Sequence, residues 1–317
     1  MNNHFKFVVA GNSHLAESFA DGLMDAGLKC LGAISLCLKL RPTNSPGLSS
    51  WASQAFVEYY EVENINSPEF IGLAGAIRAD FLVVEWPELL QTQTIDLFPM
   101  GAIGSHPSQL PLGRGRHPLH WQIAMGYSET TISFFRLSSK IDAGPLLLQI
   151  PISIRDNETV LTLLEKVRQF TFRGGQEIGA KLIENGSFVE IPKETSRGSV
   201  WRKRNLEDVE IDCRMTRNSI SRLVRSVVPP YLGAKLVTDV GSFIVTKADP
   251  TDFTNWEFQQ IGSLLEINKD SIVIRVDDGP IRLFLDGGDV ETLRGRSFVM
   301  PPSFYKNLRQ TPNQVRD

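Results

Sequence analysis

Two ionisable side chains that could act as an acid–base pair lie between residues 103 and 149. His106 stands in a short run of serine and proline that has the composition of a loop. Asp142 comes just before a Gly-Pro turn and an apolar run. A histidine and a carboxylate on two loops of one sheet can share the work of moving a proton. A solvated or structural histidine and a turn-forming aspartate remain the plainer interpretations.

A basic loop lies between these two residues. Arg114 and Arg116 alternate with glycine, and such guanidinium groups can bind a phosphate or a carboxylate through paired hydrogen bonds. Stabilisation of the loop itself is the alternative. His117 and His120 are three residues apart, but no acidic residue or cysteine near them could serve as a third metal ligand. We therefore predict no metal site.

An open α/β sheet is the scaffold that the first half of the chain predicts. Apolar runs indicate buried strands at 5–10, 28–36 and 80–85, and helical spacing follows the first of them. Ligands of such sheets lie at the carboxyl ends of the strands, where the Gly11 turn and Trp86 fall. The Gly11 turn lacks GxGxxG, so a plain tight turn is favoured over dinucleotide binding.

Further elements complete the predicted first domain. Residues 51–60 and 68–78 have the pattern of helices or their connections, and 100–105 that of a short strand or turn. An amphipathic helix is predicted over 158–182, with Thr159 as its cap.

The second half of the chain predicts a small β domain. A helix over 218–228 precedes five short apolar segments separated by glycine turns, at 234–237, 242–247, 263–267, 271–276 and 281–285. Five short strands are typical of a small barrel, of which the OB type is the commonest. We predict a catalytic domain at 1–190, a linker at 191–204 and an OB-like domain at 205–310.

Composition excludes several classes of protein. The chain has 317 residues, 42% of them hydrophobic and 22% charged, and a net charge of −3, which disfavours a protein that coats nucleic acid. Three cysteines without a CxxC indicate reduced thiols rather than a disulfide framework. We see neither a secretory signal nor a membrane-spanning run and predict a cytoplasmic protein.

Several motifs of the central segment together resemble one enzyme family, the N10-formyltetrahydrofolate-dependent formyltransferases. The family pattern is Asn-x-His-x-Ser-Leu-Leu-Pro, then a basic Arg-Gly loop, then Asp-x-Gly. The matching stretches here are His106-Pro107-Ser108-Gln109-Leu110-Pro111, Gly113-Arg114-Gly115, Trp121, Gly126 and Asp142-Ala143-Gly144-Pro145. Residues 206–234 resemble the start of the C-terminal OB-like domain that some members carry, so the resemblance extends over nearly the whole chain.

The resemblance implies transfer of a formyl group from N10-formyltetrahydrofolate to an amine, without a metal. It implies that His106 stabilises the oxyanion and donates a proton. Asp142 would orient the imidazole, favour its charged form and take up a proton from the amine. The expected folate contacts are Trp86, Pro87, Leu89, Leu90, Leu110, Gly115, Ile141 and Asp142. The expected contacts with the amine substrate are Gly11, Asn12, Ser13, Ser108, Arg114 and Arg116.

One position departs from the family pattern. The asparagine that should stand two residues before the histidine is replaced by Gly104. Loss of one oxyanion donor typically lowers a rate by about 10²–10³-fold. A backbone N–H or a water would have to replace it, or the chain is a weakened enzyme or a non-catalytic folate-binding relative. Retention of both His106 and Asp142 favours an enzyme.

The acceptor amine is indicated by the basic loop and by net charge. The loop at 113–121 is more similar to the Arg-Gly-Arg-x-Pro pattern of the sugar-nucleotide enzymes than to the Arg-Gly-Ala-Ala-Pro of the tRNA enzymes. A net charge of −3 also fits poorly with tRNA, whose phosphates bind basic side chains. We predict an amino-sugar nucleotide, with methionyl-tRNA formyltransferase activity as the alternative. A homo-oligomer is compatible with the sequence.

Overall fold

Two compact units make up the structure, a computed structural model that describes residues 5–42, 45–192, 198–238, 240–287, 290–294 and 299. The first unit comprises Met1–Pro118, Glu129–Ser153 and Leu163–Arg202. The second comprises Leu119–Ser128, Ile154–Thr162 and Lys203–Asp317. The second unit thus includes two segments from the first half of the chain. The domain boundaries given above stay a prediction. Within the predicted linker and OB-like domain, residues 193–197, 239, 288–289, 295–298 and 300–310 lie outside the described residues.

The first unit is built on a seven-stranded sheet in the order β3-β2-β1-β4-β5-β7-β8. The strands from β3 to β5 in this order run parallel, and β7 and β8 are antiparallel to their neighbours. A separate pair, β6 and β9, lies outside this sheet. The bounds are β1 (Lys6–Gly11), β2 (Lys29–Leu36), β3 (Tyr59–Val62), β4 (Phe81–Glu85), β5 (Ala102–His106), β6 (Arg114–Gly115), β7 (Glu129–Arg136), β8 (Leu146–Ser153) and β9 (Val200–Trp201).

The predicted α/β sheet is confirmed. Its central strands could be predicted from the sequence for a simple physical reason. β1 and β4 are almost entirely buried, as expected of parallel strands covered on both faces, and this makes them continuous apolar runs. The edge strand β3 was missed, because a helix or connection was predicted over 51–60. It has only four residues and is largely half-exposed, so its alternation is too short to distinguish it from a helix.

Six helices accompany these strands. They are α1 (His14–Asp25), α2 (Ser49–Gln54), α3 (Pro68–Ile77), α4 (Thr92–Ile95), α5 (Pro118–Met125) and α6 (Val160–Asn185). The hydroxyl of Thr159 accepts a hydrogen bond from the Thr162 N–H, as predicted for the start of α6. α1 and α6 approach closely at Gly22, where a Cβ would lie 2.1 Å from the Phe172 carbonyl oxygen. Among the described residues, no helix combines the length and apolar content that crossing a membrane requires.

The second unit is built on a five-stranded antiparallel sheet in the order β10-β11-β14-β13-β12. These strands coincide closely with the five predicted segments, and the helix α7 (Arg217–Arg225) with the predicted helix. Ile220, Leu223 and Val224 of α7 belong to the same buried core as side chains of the strands. The OB type of this unit stays a prediction. The strand bounds are β10 (Ala234–Thr238), β11 (Gly241–Pro250), β12 (Leu264–Ile267), β13 (Ser271–Val276) and β14 (Gly279–Asp286).

Candidate active site

A cavity of about 530 Å³ lies at the carboxyl ends of β4 and β5. This is the end of a parallel sheet at which ligands are expected. The loop after β4, the basic loop and the connection between β7 and β8 complete its wall. Nine of the residues predicted to form the site line it: Trp86, Pro87, Leu89, Leu90, His106, Gly115, Arg116, Ile141 and Asp142.

His106 is the last residue of β5, whereas the sequence predicted a loop at this position. Its side chain is 7% exposed, and its Nε2 lies 2.9 Å from the carbonyl oxygen of Gly113. Because a carbonyl oxygen only accepts hydrogen bonds, Nε2 carries a hydrogen and donates. The Nδ1 atom lies 3.8 Å from Oδ2 of Asp142. The strand end therefore holds the imidazole with Nδ1 towards the carboxylate.

Asp142 is held in place by the basic loop. Its Oδ2 accepts a hydrogen bond of 2.8 Å from the backbone N–H of Gly115. Its backbone has φ +44°, in the left-handed region that aspartate and asparagine adopt more readily than most residues. The structure thus brings the predicted pair, His106 and Asp142, within the distance of an ion pair but beyond that of a hydrogen bond.

The two arginines of the basic loop have different surroundings. Arg116 lines the cavity and donates to the carbonyl oxygen of Pro87 over 2.8 Å. Arg114 belongs to β6, which pairs with β9 in the segment predicted as a linker, and it does not line the cavity as the described residues form it. Trp201 of β9 packs against Gly113, where a Cβ would meet the indole ring at 2.7 Å. The loop is therefore supported by a strand from far along the chain.

The turn after β1 is not brought to the cavity wall, although three of its residues were predicted to contact substrate. The carbonyl oxygen of Gly11 accepts from the hydroxyl of Ser35 at 2.8 Å, and Oδ1 of Asn12 accepts from the N–H of Leu36 at 2.9 Å. Ser13 is the N-cap residue of α1. These contacts fasten β1 to β2, while Nδ2 of Asn12 and Oγ of Ser13 are buried without a hydrogen-bond partner among the described residues. The predicted contact of this turn with substrate stays a prediction.

Ser108 and Leu110 are also absent from the cavity wall that the described residues form. The Ser108 hydroxyl donates to the carbonyl oxygen of Leu112 over 2.8 Å and closes the loop after β5. Leu110 is 2% exposed and packs with Phe135 and Leu146. Both residues thus shape the loop, and their predicted contacts with substrate and folate stay predictions.

The histidines of the basic loop do not assemble a metal site. Nδ1 of His120 lies 2.6 Å from the carbonyl oxygen of Ser226, and its ring packs edge-on against Tyr231 at 4.6 Å. Within the part of the chain that the structure describes, no group of three or more histidine, cysteine, aspartate or glutamate side chains is placed to hold a metal ion.

Glu85 and Ser105 are two of the cavity-wall residues that the sequence analysis missed. The Ser105 hydroxyl donates to Oε1 of Glu85 over 2.5 Å. Burial raises the pKa of Glu85 to about 7, the hydrogen bonds from Ser105 oppose this rise, and the charge of Asp142 adds to it. The only sequence signal for Glu85 was that an acidic residue ends the apolar run at 81–84.

Gly104, which replaces the family asparagine, has no space for a side chain. A Cβ there would lie 2.9 Å from the carbonyl oxygen of Val84 and 3.0 Å from Cδ1 of Leu137. The first contact is with backbone and is closer than real Cβ atoms come. An asparagine could therefore occupy this position only if β4 and β5 moved apart.

The pKa of Glu85 predicts how stability depends on pH. The unfolded chain ionises this carboxyl near 4.5, whereas the folded protein keeps the proton up to about 7. The proton therefore stabilises the folded state at low pH, and this contribution is lost as the pH rises from about 4.5 to about 7. Because glutamine stays neutral, we expect Glu85→Gln to be more stable than wild type above pH 7, by about 1–3 kcal/mol.

Urea unfolding between pH 5 and pH 8 measures this effect. The stability difference between Glu85→Gln and wild type should grow with pH and level off above 7. Glu184→Gln, which makes the same change at an exposed position of α6, is the control and should show no such trend. A difference of the same size at every pH would contradict the expectation.

An open α/β sheet with an imidazole and a carboxylate in a cavity at its strand ends is the arrangement of a group-transfer enzyme. Residues 37–174 match the family model described as "Formyl transferase". This segment is therefore similar to the formyl transferase family, and the chain is a formyl-transferring enzyme.

Solved structures with the same fold include two sugar formyltransferases. One is WlaRD, a sugar 3N-formyltransferase studied with dTDP and 5-N-formyl-THF, with 15% identity and a TM-score of 0.65 over 90% of this chain and 100% of that one. Another is the N-formyltransferase of Helicobacter canadensis in complex with folinic acid and dTDP-3-aminofucose, with 14% identity and a TM-score of 0.67 over 89% and 100%.

HypX from Aquifex aeolicus, solved in complex with tetrahydrofolic acid, is also similar in fold. The identity is 14% and the TM-score 0.63, over 92% of this chain and 48% of that one. At such identities the similarity concerns the fold.

Proposed function

We propose that this protein is an N-formyltransferase that moves the formyl group of N10-formyltetrahydrofolate to the primary amine of an amino-sugar nucleotide. The observation that carries the proposal is the placement of His106 and Asp142, 3.8 Å apart, in one cavity at the carboxyl ends of β4 and β5. His106 and Asp142 are its catalytic residues.

The cavity fits the formyl donor. A volume of about 530 Å³ falls in the usual range for small-molecule and cofactor pockets, and its wall has apolar side chains for a ring system, among them Trp86, Leu90 and Ile141. Lys140 adds a positive charge that matches the carboxylates of a folate tail. When bound, the folate supplies a formyl group on a nitrogen that can leave.

The proposed chemistry assigns a role to each nitrogen of His106. Nε2 is occupied by the Gly113 carbonyl, which fixes the orientation of the ring. Nδ1 is therefore the atom that holds the proton for the formyl oxygen or for the leaving nitrogen. Asp142 lies towards that same atom, and its contact with Gly115 keeps the carboxylate from turning away.

An amino-sugar nucleotide is the acceptor class that two observations support. Structures of the same fold were solved with dTDP or with dTDP-3-aminofucose. Arg116 places a guanidinium at the cavity wall, where a diphosphate could accept paired hydrogen bonds.

Transfer to initiator tRNA is the second candidate. The features in its favour are the β domain and the basic side chains of the predicted linker, among them Arg202, Lys203 and Arg204. Arg204 is 9% exposed, and its guanidinium donates to the Ser226 hydroxyl at 2.9 Å and to the Asp208 carbonyl at 2.7 Å. It also lies 5.1 Å from the ring of Trp121. This guanidinium is engaged within the second unit, which weakens the case for a tRNA surface.

Release of tetrahydrofolate from N10-formyltetrahydrofolate tests the proposal. We expect turnover with at least one of a panel of dTDP-, UDP- and GDP-linked amino sugars, and none with initiator methionyl-tRNA. Turnover with the tRNA alone, with a steep dependence on salt, would replace the proposed acceptor by the alternative. Folate binding without turnover on any acceptor would support the non-catalytic interpretation of Gly104.

A further inference from the structure

Glu85 is an acidic side chain of the cavity wall to which the chemistry described above gives no role. It ends β4, next to Gly11 of β1 on one side and close to Ser105 of β5 on the other. A Cβ on Gly11 would lie 3.4 Å from the Cβ of Glu85, so the neighbouring strand approaches it closely. The carboxyl group is thus enclosed by two strands and faces the same cavity as His106 and Asp142.

Ser105 holds this carboxyl group in a defined position. Its hydroxyl donates to Oε1 over 2.5 Å, which is the length of a hydrogen bond to a charged oxygen. Ser105 therefore fixes the orientation of the Glu85 carboxyl group in the cavity wall.

A second proton acceptor in the cavity would complement Asp142, to which the family resemblance assigns uptake of a proton from the amine. A primary amine is mostly protonated near neutral pH, and the ammonium form has no lone pair with which to attack a formyl carbon. His106 uses one nitrogen on Gly113, and Asp142 uses one oxygen on Gly115. Glu85 is hydrogen-bonded by Ser105 and is a further carboxyl group in the wall of the same cavity.

We propose that Glu85 is a further catalytic residue that accepts the proton of the incoming ammonium group, with Ser105 as its positioning residue. This inference rests on the proposed function. The raised pKa of Glu85, about 7, agrees with it, because a base works best when it binds a proton near the working pH.

The proton balance of this step is simple. The N–H bond of the ammonium group breaks, an O–H bond forms on Glu85, and the electron pair of the broken bond stays on nitrogen. That lone pair then attacks the formyl carbon. A second amine proton goes to the leaving folate nitrogen through His106, and the proton held by Glu85 passes to solvent after release of the products.

Other charged groups face the same cavity and contribute to its pH dependence. They are Glu88 after β4, His106 on β5, Arg116 after β6, and Lys140 and Asp142 between β7 and β8. The Asp142 charge raises the pKa of Glu85. β1 contributes the uncharged Gly11 on the remaining side.

The pH dependence of formyl transfer tests the inference. With saturating N10-formyltetrahydrofolate and the amino-sugar nucleotide that turns over fastest, kcat/KM for the wild type should rise with pH around 7. We expect Glu85→Gln to lower kcat/KM by about 10²-fold and to remove this rise, with KM for the folate unchanged. Glutamine keeps the size of the side chain and an oxygen for Ser105, so packing is preserved. Glu184→Gln is the control.

Two further measurements separate a chemical role from a structural one. Ser105→Ala removes a hydrogen bond to the charged form, so the rise in activity should move to higher pH. In an NMR titration with ¹³C-labelled glutamate, the carboxyl signal that Glu85→Gln lacks should titrate near pH 7.

The outcomes distinguish the two proposals. Transfer by Glu85→Gln at the wild-type rate, or at a lower rate with the wild-type pH profile, would overturn the role of Glu85 and leave the proposed function intact. A wild-type protein that transfers formyl to no acceptor would overturn the proposed function, and the role of Glu85 with it.

Discussion

Replacing His106 with alanine is expected to lower kcat for formyl transfer by about 10²–10⁴-fold while the protein remains folded. In the proposed mechanism the imidazole transfers a proton beside Asp142, and alanine has no atom that can replace it. The variant also leaves the Gly113 carbonyl without its donor, which costs about 1 kcal/mol, too little to unfold a typical domain. Tetrahydrofolate release, together with circular dichroism, measures the two effects separately.

Asp142→Asn isolates the charge of the second residue. Asparagine tolerates the left-handed backbone at this position, and its oxygen can still accept from the Gly115 N–H. We therefore expect loss of activity without loss of loop geometry. His14→Ala, a change at a histidine half exposed on α1, is the matched control and should keep wild-type turnover. Undiminished turnover in both His106→Ala and Asp142→Asn would show that the site is assigned wrongly.

Replacing Gly144 with alanine is expected to destabilise the protein by about 2–4 kcal/mol. A Cβ at this position would lie 1.7 Å from the carbonyl oxygen of Arg136, and backbone cannot move aside as a flexible side chain can. The backbone segments around Arg136 and Gly144 must therefore separate, which breaks the hydrogen bond of 2.9 Å from the Arg136 N–H to the Pro145 carbonyl. Because Asp142 lies two residues away, its placement beside His106 should be lost as well.

The same substitution elsewhere in the first unit should have the opposite effect. Gly72 is exposed in the middle of α3, and nothing lies within 4 Å of a Cβ placed there. Gly72→Ala should stabilise the protein by about 0.5–1 kcal/mol, because alanine restricts the unfolded chain and favours a helix. Urea unfolding of both variants measures the difference. Equal stability of Gly144→Ala and wild type would contradict the close approach of the Gly144 and Arg136 backbone segments.

The proximity of His106 and Asp142 could be predicted from the sequence, because their types and their order in the chain suit an acid–base pair, and the structure places them 3.8 Å apart. The strands β1, β2 and β4 were identifiable as well, since a strand buried on both faces is a continuous apolar run. The five strands of the second unit were identifiable from the alternation of short apolar segments and glycine turns. Each of these features is encoded in residues close together in the chain.

The tertiary structure alone decided which residues share the cavity. The pairing of β4 with β5 places Glu85 beside Ser105, and burial between strands raises the pKa of that carboxyl group. The pairing of β6 with β9 draws Arg114 away from the wall. Oδ1 of Asn12 accepts a hydrogen bond from the Leu36 N–H and so fastens the turn after β1 to β2. These outcomes depend on strand order and on contacts between residues 20 or more positions apart, and composition and spacing along the chain do not encode such contacts.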